Sequence, residues 1–156
     1  MELGGEQAQI IHLSRNTNDG MPKFTAQKTQ AILNKAGIAG ATVGVLGLAF
    51  KGNIDDMRES PSTIVIDELQ ELGLNVISYD PHIKENKHAT QTQDLQEVAA
   101  KADILLVLTD HNEFKTIDPA TLKVKGNIVF DTKNCLNRQT WEEKGFNFFL
   151  LGDAKN

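Results

Sequence analysis

Residues 43–51 have the sequence Val43-Gly44-Val45-Leu46-Gly47-Leu48-Ala49-Phe50-Lys51. Up to Phe50 this run is apolar and is interrupted only by two glycines, which is typical of a strand that is buried on both faces. A short loop carrying Lys51 and Arg58 follows it, and Ser60-Pro61 has the residue types that cap and open a helix. The stretch therefore predicts a buried strand, a cationic loop and a helix start in direct succession.

The rest of the chain repeats this alternation of strand and helix. Strands are predicted at residues 42–49, 75–79, 104–109, 127–130 and 147–150. Helices are predicted at residues 22–35, 61–72, 93–101, 119–123 and 138–144. Because the strands are apolar and helices separate them, the pattern predicts an α/β fold: a Rossmann-like, doubly wound, five-stranded parallel sheet with an N-terminal helical extension.

Composition excludes several classes of function. The 156-residue chain is 40% hydrophobic, which is enough for one well-buried core. Its formal net charge of −5, with no basic cluster, argues against nucleic acid or an anionic membrane as a partner. Cys135 is the only cysteine, so no intramolecular disulfide can form, and no apolar run is long enough to span a bilayer. We therefore expect a cytoplasmic protein.

The residues that follow four of the predicted strands are mostly polar. They are Phe50-Lys51, Asp80-Pro81, Thr109-Asp110-His111 and Asp131-Thr132-Lys133-Asn134. Parallel strands share their carboxyl edge, and ligands bind there. With Lys51, Arg58 and a helix start close by, this edge suits a phosphate, although solvated charges or salt bridges would explain the same residues. The G-x-G-x-x-G fingerprint is absent, so side chains would have to hold the anion.

Five motifs, taken together and in this order, resemble a known family. They are Gly47-Leu48-Ala49-Phe50-Lys51, Asp55-Asp56-Met57-Arg58-Glu59-Ser60-Pro61, Tyr79-Asp80-Pro81, Thr109-Asp110-His111-Asn112-Glu113-Phe114 and Phe130-Asp131-Thr132-Lys133-Asn134. The family they resemble is the UDP-glucose/GDP-mannose dehydrogenase family, in its C-terminal, UDP-binding domain. The second motif and the stretch Asn18-Asp19-Gly20-Met21-Pro22 lean toward the UDP-N-acetylmannosamine dehydrogenase branch.

The resemblance implies an activity and a set of binding residues. Members of the family oxidise the C6 alcohol of a nucleotide sugar to a carboxylate in two NAD-dependent steps, through a catalytic cysteine. By this resemblance Phe50 and Lys51 contact the UDP-sugar, and Lys133 does so where the family more often has arginine. Lysine keeps the charge but lacks the planar fork of arginine. Arg58 would reach the NAD that the N-terminal domain of these enzymes holds.

The resemblance also implies a division of the chain and further domains. We expect residues 1–37 to be the tail of the central helical region and residues 38–156 to be the UDP-sugar-binding domain. The family's NAD-binding domain and the segment with its catalytic cysteine have no counterpart in these 156 residues. We therefore expect the C-terminal part of a longer, homo-oligomeric enzyme, which is inactive by itself and carries no catalytic residue and no metal.

Other interpretations compete with this one. A stand-alone nucleotide-binding regulatory module would share the same fold. A receiver-like phosphoacceptor domain would also use an acidic pair, an aspartate after strand three and a lysine, here Asp55-Asp56, Asp110 and Lys133. We further interpret five residues as structural. Cys135 is interpreted as a small buried residue, His111 as a local hydrogen-bonding group, Asp55-Asp56 as salt-bridge partners, and Asp80 as a turn residue rather than a ribose ligand.

Overall fold

Ile104–Val107, the most apolar strand, lies at the centre of a five-stranded parallel sheet. The computed structural model describes the backbone of residues 5–152 and the side chains of residues 19–152. The helices are α1 (Gly5–Lys35), α2 (Pro61–Glu71), α3 (Leu95–Lys101), α4 (Asn112–Lys115) and α5 (Arg138–Glu143), with a short 3₁₀ turn at Pro119–Thr121. The strands are β1 (Thr42–Leu46), β2 (Asn75–Tyr79), β3 (Ile104–Val107), β4 (Ile128–Asp131) and β5 (Asn147–Leu150).

The strand order is β2-β1-β3-β4-β5, and every neighbouring pair is parallel. The chain therefore moves outward from β1 to β2, returns to the other side of β1 as β3, and continues outward to β5. The direction of winding reverses between β1 and β3, and ligands of such sheets bind at this reversal, beyond the carboxyl ends of the strands. The predicted fold class is confirmed.

Helices cover both faces of the sheet. On one face α1 and α2 pack their buried residues against alternate strand positions, among them Val43, Val45, Leu106 and Phe130. On the other face α3, α4 and α5 pack against Leu46, Leu105, Val107 and Val129, with Phe114 and Trp141 as the largest buried side chains. Because both faces are covered, every residue of β3 must be apolar.

Two predicted boundaries are wrong by three residues or more, and the others, such as the end of β3 at Val107 rather than residue 109, differ by one or two. The strand expected to run to residue 49 ends at Leu46, because Gly47 takes a φ of 102° and turns the chain out of the sheet. The helix expected to begin at Pro22 begins at Gly5, with Pro22 inside it. Proline removes one helical hydrogen bond there, but Pro22 is itself buried and begins a buried face with Thr25, Ala26 and Thr29.

Smaller differences concern short elements. The helix predicted from residue 93 begins at Leu95, where Asp94 caps it by accepting the Gln96 N–H. The helix predicted at 119–123 is the 3₁₀ turn, and the single turn α4 has no predicted counterpart. Among the described residues, no helix combines the length and the hydropathy needed to cross a bilayer.

Candidate functional site

The loop between β1 and α2 presents Phe50 and Lys51 at the carboxyl edge of the sheet. Both side chains are exposed, and the exposed fraction of 54% is high for a phenylalanine. The backbone beneath them is held in place. The Phe50 N–H donates to the Asp56 carbonyl at 2.7 Å, and the Thr109 hydroxyl donates to the Ala49 carbonyl at 3.1 Å. The loop therefore offers an aromatic ring and a cation from a fixed backbone.

Asp80, which follows β2, is a fully buried carboxylate that anchors this loop. Its Oδ2 accepts the N–H of Leu48 at 2.7 Å and of Ala49 at 2.9 Å, and its Oδ1 accepts the N–H of His82 at 2.8 Å. The Nε2 atom of His111 lies 2.8 Å from the same Oδ2. Burial alone would raise the pKa of this carboxyl, but the hydrogen bonds from His111 and the three N–H groups outweigh burial and lower the pKa from its usual 3.8.

His111 is also fully buried, and both of its ring nitrogens are engaged. Its Nδ1 accepts the N–H of Asn53 at 2.9 Å, so this nitrogen carries no proton. The ring is therefore neutral in this arrangement, with its proton on Nε2 and donated to Asp80. Asn53 has a left-handed φ of 64°, and its side-chain oxygen accepts the N–H of Asn112 at 2.9 Å. The loop after β1 is thus bonded to the loop after β3.

A second buried aspartate holds the loop that carries Lys133. Asp131, the last residue of β4, accepts the N–H groups of Lys133, Cys135 and Leu136, each at 2.9 Å. The tight turn between them places Asn134 at a φ of 53°. The Lys133 side chain is exposed above this turn.

A cleft of about 320 Å³ lies between helix α1, the start of α2 and the carboxyl edge of the sheet. It is lined by Met21, Pro22, Thr25, Phe50, Pro61, Ser62, Val65, Leu108, Thr132, Lys133 and Leu151. The structure thus brings together Phe50 and Lys133, two of the predicted binding residues. Lys51 and Arg58 do not line this cleft. Helix α1 supplies one wall of it, through residues that the predicted boundary at 37 assigns to the preceding segment.

Arg58 lies on the same loop as Phe50 but faces a separate, shallow depression lined by Phe50, Asp56, Arg58 and Glu59. Its guanidinium donates to both oxygens of Asp56, through Nε at 3.0 and 3.2 Å and through a terminal nitrogen at 2.8 Å. These hydrogen bonds lower the pKa of Asp56 to about 2. The predicted salt-bridge role is confirmed for Asp56. The Arg58 side chain itself is 88% exposed.

Three side chains could be taken for a metal site. A nitrogen from each of His82 and His111 and an oxygen of Glu113 lie within 4.8 Å of one another. Both nitrogens of His111 already have hydrogen-bond partners, and His82 Nε2 pairs with Glu113 at 3.0 Å. Because a metal needs a free nitrogen lone pair, we assign no metal to this cluster.

Cys135 is half-buried beside Asp131. Burial and the negative charge of Asp131 raise the pKa of its thiol to about 12. A thiol that ionises so weakly is a poor nucleophile at neutral pH.

Asp80 and His111 hold more of the site together than their sequence positions predict. Asp80 forms the predicted turn by accepting the His82 N–H, but its other oxygen holds the β1 loop. His111 forms hydrogen bonds as predicted, yet these are not local, because they reach Asn53 and Asp80. In the sequence, the only indication of these roles is a polar residue after each strand. The strand order is needed to show which of these residues come into contact.

Comparisons with known proteins identify the family of this chain. Residues 44–138 match the UDP binding domain of the UDP-glucose/GDP-mannose dehydrogenase family. The chain belongs to this family. It is 39% identical to a UDP-N-acetyl-D-mannosamine dehydrogenase of Methanococcus aeolicus over 97% of this chain and 35% of that protein. It is 32% identical to a UDP-glucose 6-dehydrogenase of Rhizobium meliloti over 92% of this chain and 34% of that protein.

Solved structures of dehydrogenases share its fold. The UDP-D-ManNAc dehydrogenase of Pyrococcus horikoshii superimposes with a TM-score of 0.79 at 29% identity, covering 97% of this chain and 34% of that one. The UDP-N-acetyl-mannosamine dehydrogenase of Staphylococcus aureus superimposes with a TM-score of 0.78 at 30% identity, covering 92% and 34%. The chain spans about a third of the length of the curated relatives it matches. Membership in this dehydrogenase family leaves the receiver-like alternative without support, as does the pairing of Asp56 with Arg58.

Proposed function

We propose that this chain is the UDP-sugar-binding domain of an NAD-dependent nucleotide-sugar 6-dehydrogenase. In this proposal the cleft between α1, α2 and the sheet edge receives the nucleotide sugar. The observation that carries it is the convergence of Phe50 and Lys133, which come from loops far apart in sequence, on one cleft at the edge where such sheets bind ligands.

The lining of the cleft suits a nucleoside diphosphate. The exposed Phe50 ring offers a flat apolar surface for a base, and Lys133 offers a compact positive charge for a phosphate. Pro61 and Ser62 bring the positive end of the α2 dipole to the same cleft. Lys51 lies outside the cleft but belongs to the same loop as Phe50, and we assign it to the rim, where it adds a second charge.

We extend the proposal to the cofactor through Arg58. NAD would accept hydride from the sugar, and the chain's own contribution would be one exposed guanidinium, already oriented by Asp56. The absence of the glycine fingerprint in these 156 residues fits a cofactor held mainly by another domain. The complete enzyme would then be a homo-oligomer with NAD-binding and central domains.

The relatives indicate which sugar to test first. Several of those with the highest identity to this chain are UDP-N-acetyl-D-mannosamine dehydrogenases. We therefore propose UDP-N-acetyl-D-mannosamine as the substrate, oxidised at C6 to the carboxylate.

Titration of the chain with UDP, followed by NMR, tests the proposed function. Only one domain of the site is present, so we expect dissociation constants in about the high micromolar to millimolar range, with shifts at Phe50, Lys51 and Lys133. Inorganic phosphate should bind more weakly and shift fewer of these signals. Equal responses to phosphate and to UDP would remove the case for nucleotide recognition.

A further inference from the structure

The segment that carries Phe50 and Lys51 is bonded to the core on both of its sides. Before it, the N–H groups of Leu48 and Ala49 donate to Asp80, as described above. After it, the N–H of Gly52 donates to Asp110 Oδ1 at 3.1 Å, and the next N–H along the chain donates to His111. Four backbone N–H groups around the two predicted ligand residues thus donate to side chains in the loops that follow β2 and β3.

His111 is the one described residue that connects the two sides. Its Nε2 donates to Asp80, which holds the residues before Phe50, and its Nδ1 accepts from Asn53, which follows Lys51. The ring is fixed further by stacking on His82, with ring centroids 4.6 Å apart, and by the edge of Phe114 at 5.4 Å. The imidazole is therefore a bridge of fixed orientation between two loops.

We propose that His111 is a positioning residue for UDP binding, which sets the backbone from which Phe50 and Lys51 reach the nucleotide. This role rests on the proposed function of the cleft. An apolar side chain could fill the same space, but it would bond to neither loop and would leave the Asn53 N–H without its acceptor. A buried, neutral imidazole is favoured here because it can donate to the anchor and accept from the loop at the same time.

Two substitutions separate the two bonds. In His111→Gln the amide nitrogen can take the place of Nε2 and donate to Asp80, but nothing accepts the Asn53 N–H. In His111→Asn the amide oxygen can take the place of Nδ1 and accept from Asn53, but nothing donates to Asp80. His88→Gln is the matched control, since the hydrogen bonds that the structure gives the His88 side chain go to Thr90, two residues along the chain.

The measurements are the tautomer of His111 by ¹⁵N NMR, amide hydrogen exchange in the free chain, and the dissociation constant for UDP. We expect the proton on Nε2 in the parent chain. His111→Gln should speed exchange at Asn53, keep Leu48 and Ala49 protected, and weaken UDP binding roughly fivefold to tenfold. His111→Asn should give the opposite pattern of exchange and a similar loss, while His88→Gln should match the parent.

A second pair of variants covers the case in which both His111 variants fail to fold. Asp110 is exposed, so its substitution leaves the packing of the core unchanged. Asp110→Asn and Asp110→Ala remove the same charge, but only asparagine can still accept the Gly52 N–H. The alanine variant should bind UDP more weakly than the asparagine variant, by roughly threefold.

The outcomes distinguish the two proposals. If the parent chain does not bind UDP in preference to phosphate, the proposed function fails and the positioning role fails with it. If the parent binds UDP, but His111→Gln loosens Asn53 without changing the affinity, the positioning role alone is refuted. A proton found on Nδ1 of His111 in the parent chain would also refute the positioning role. If both His111 variants fail to fold, equal UDP affinities of the two Asp110 variants would refute it as well.

Discussion

Lys51 is exposed and has no ion-pair partner among the residues that the structure describes. An exposed, unpaired lysine contributes little to the stability of the fold. If the proposed function is right, Lys51 therefore contributes to ligand affinity. We expect Lys51→Ala to weaken UDP-sugar binding by roughly tenfold, with a melting temperature close to that of the parent. Calorimetric titration and thermal unfolding measure the two effects.

Two further variants complete this test. Lys144→Ala is the matched control, because Lys144 is also exposed but follows α5, at the opposite edge of the sheet. It should change neither affinity nor stability. Lys133→Arg should preserve or improve binding, since arginine adds a planar fork to the same charge. A large loss of stability in Lys51→Ala would show a structural role for this lysine instead.

Cys135 should react slowly for a thiol. Its pKa is raised from 9.0 to about 12 by burial and by Asp131, so the folded state disfavours the thiolate. At pH 8 the thiolate fraction should be about a thousandfold below that of the unfolded chain. Higher intrinsic nucleophilicity offsets part of this, which leaves alkylation about 30-fold slower. Mass spectrometry after iodoacetamide treatment, with and without urea, checks it. Equal rates would contradict the raised pKa.

At the scale of elements, the turn that ends β1 depends on Gly47. Its φ of 102° is unfavourable for any other residue, and an added Cβ would lie 2.4 Å from the Cβ of Thr109 and 2.8 Å from its backbone nitrogen. Gly47→Ala should therefore lower the free energy of unfolding by about 3 kcal/mol or more. Urea denaturation measures the change.

Gly37→Ala is the control for backbone strain alone. Gly37 has a φ of 73°, but an added Cβ would meet nothing within 4 Å. Its substitution should cost about 1 to 2 kcal/mol. The difference between the two variants reports the close approach of Gly47 to Thr109, and equal losses would show that this contact relaxes without cost.

Elements with a strong hydrophobic or capping pattern are predictable from the sequence. Strand β3 is apolar at every position, and α2 has both its cap and its first proline in place, Ser60 and Pro61. The single turn α4 is too short to show a hydrophobic period. Within α1, Gly20 and Pro22 are signals for the end of a helix, yet the helix continues through both.

The candidate site also has a part that the sequence predicts and a part that it does not. The sequence predicts that Phe50 and Lys133 share one edge, because parallel strands place their carboxyl ends together. It cannot predict the pairing of Asp80 with His111. That contact exists because β2 and β3 both neighbour β1, and neighbour relations in a sheet depend on contacts distant in sequence.

At the scale of the whole molecule, we expect the 156-residue chain to form no NADH when mixed with NAD and a UDP-hexose. Hydride transfer needs a bound nicotinamide, and aldehyde oxidation through a thioester needs an activated thiolate. The chain has no glycine fingerprint, and its single thiol ionises weakly. Absorbance at the NADH band measures the outcome.

The complementary experiment supplies the other domains. Adding the NAD-binding and central domains of a related UDP-N-acetyl-D-mannosamine dehydrogenase should give activity, and Cys135→Ser should then leave turnover close to that of the parent. Turnover by the chain alone, abolished by Cys135→Ser, would refute this assignment of roles.

The strand order also has a consequence for the order in which the chain folds. Val43 pairs with Ile104, so joining β1 to β3 closes a loop of about 60 residues, whereas Ile128 pairs with Asn147 across about 20. The longer closure costs about 1 kcal/mol more in chain entropy. We therefore expect β3, β4 and β5 to assemble before β1 docks onto them.

Pulse-labelled hydrogen exchange during refolding tests this order. The amide of Phe130 should become protected before those of Leu48 and Ala49, and simultaneous protection would contradict it. The anchor at Asp80 needs the loops of β1, β2 and β3 together, so it can form only at the last step. Affinity for UDP would then mark completed folding. A chain in which β1 had not yet docked would have most of its sheet but would not bind the nucleotide.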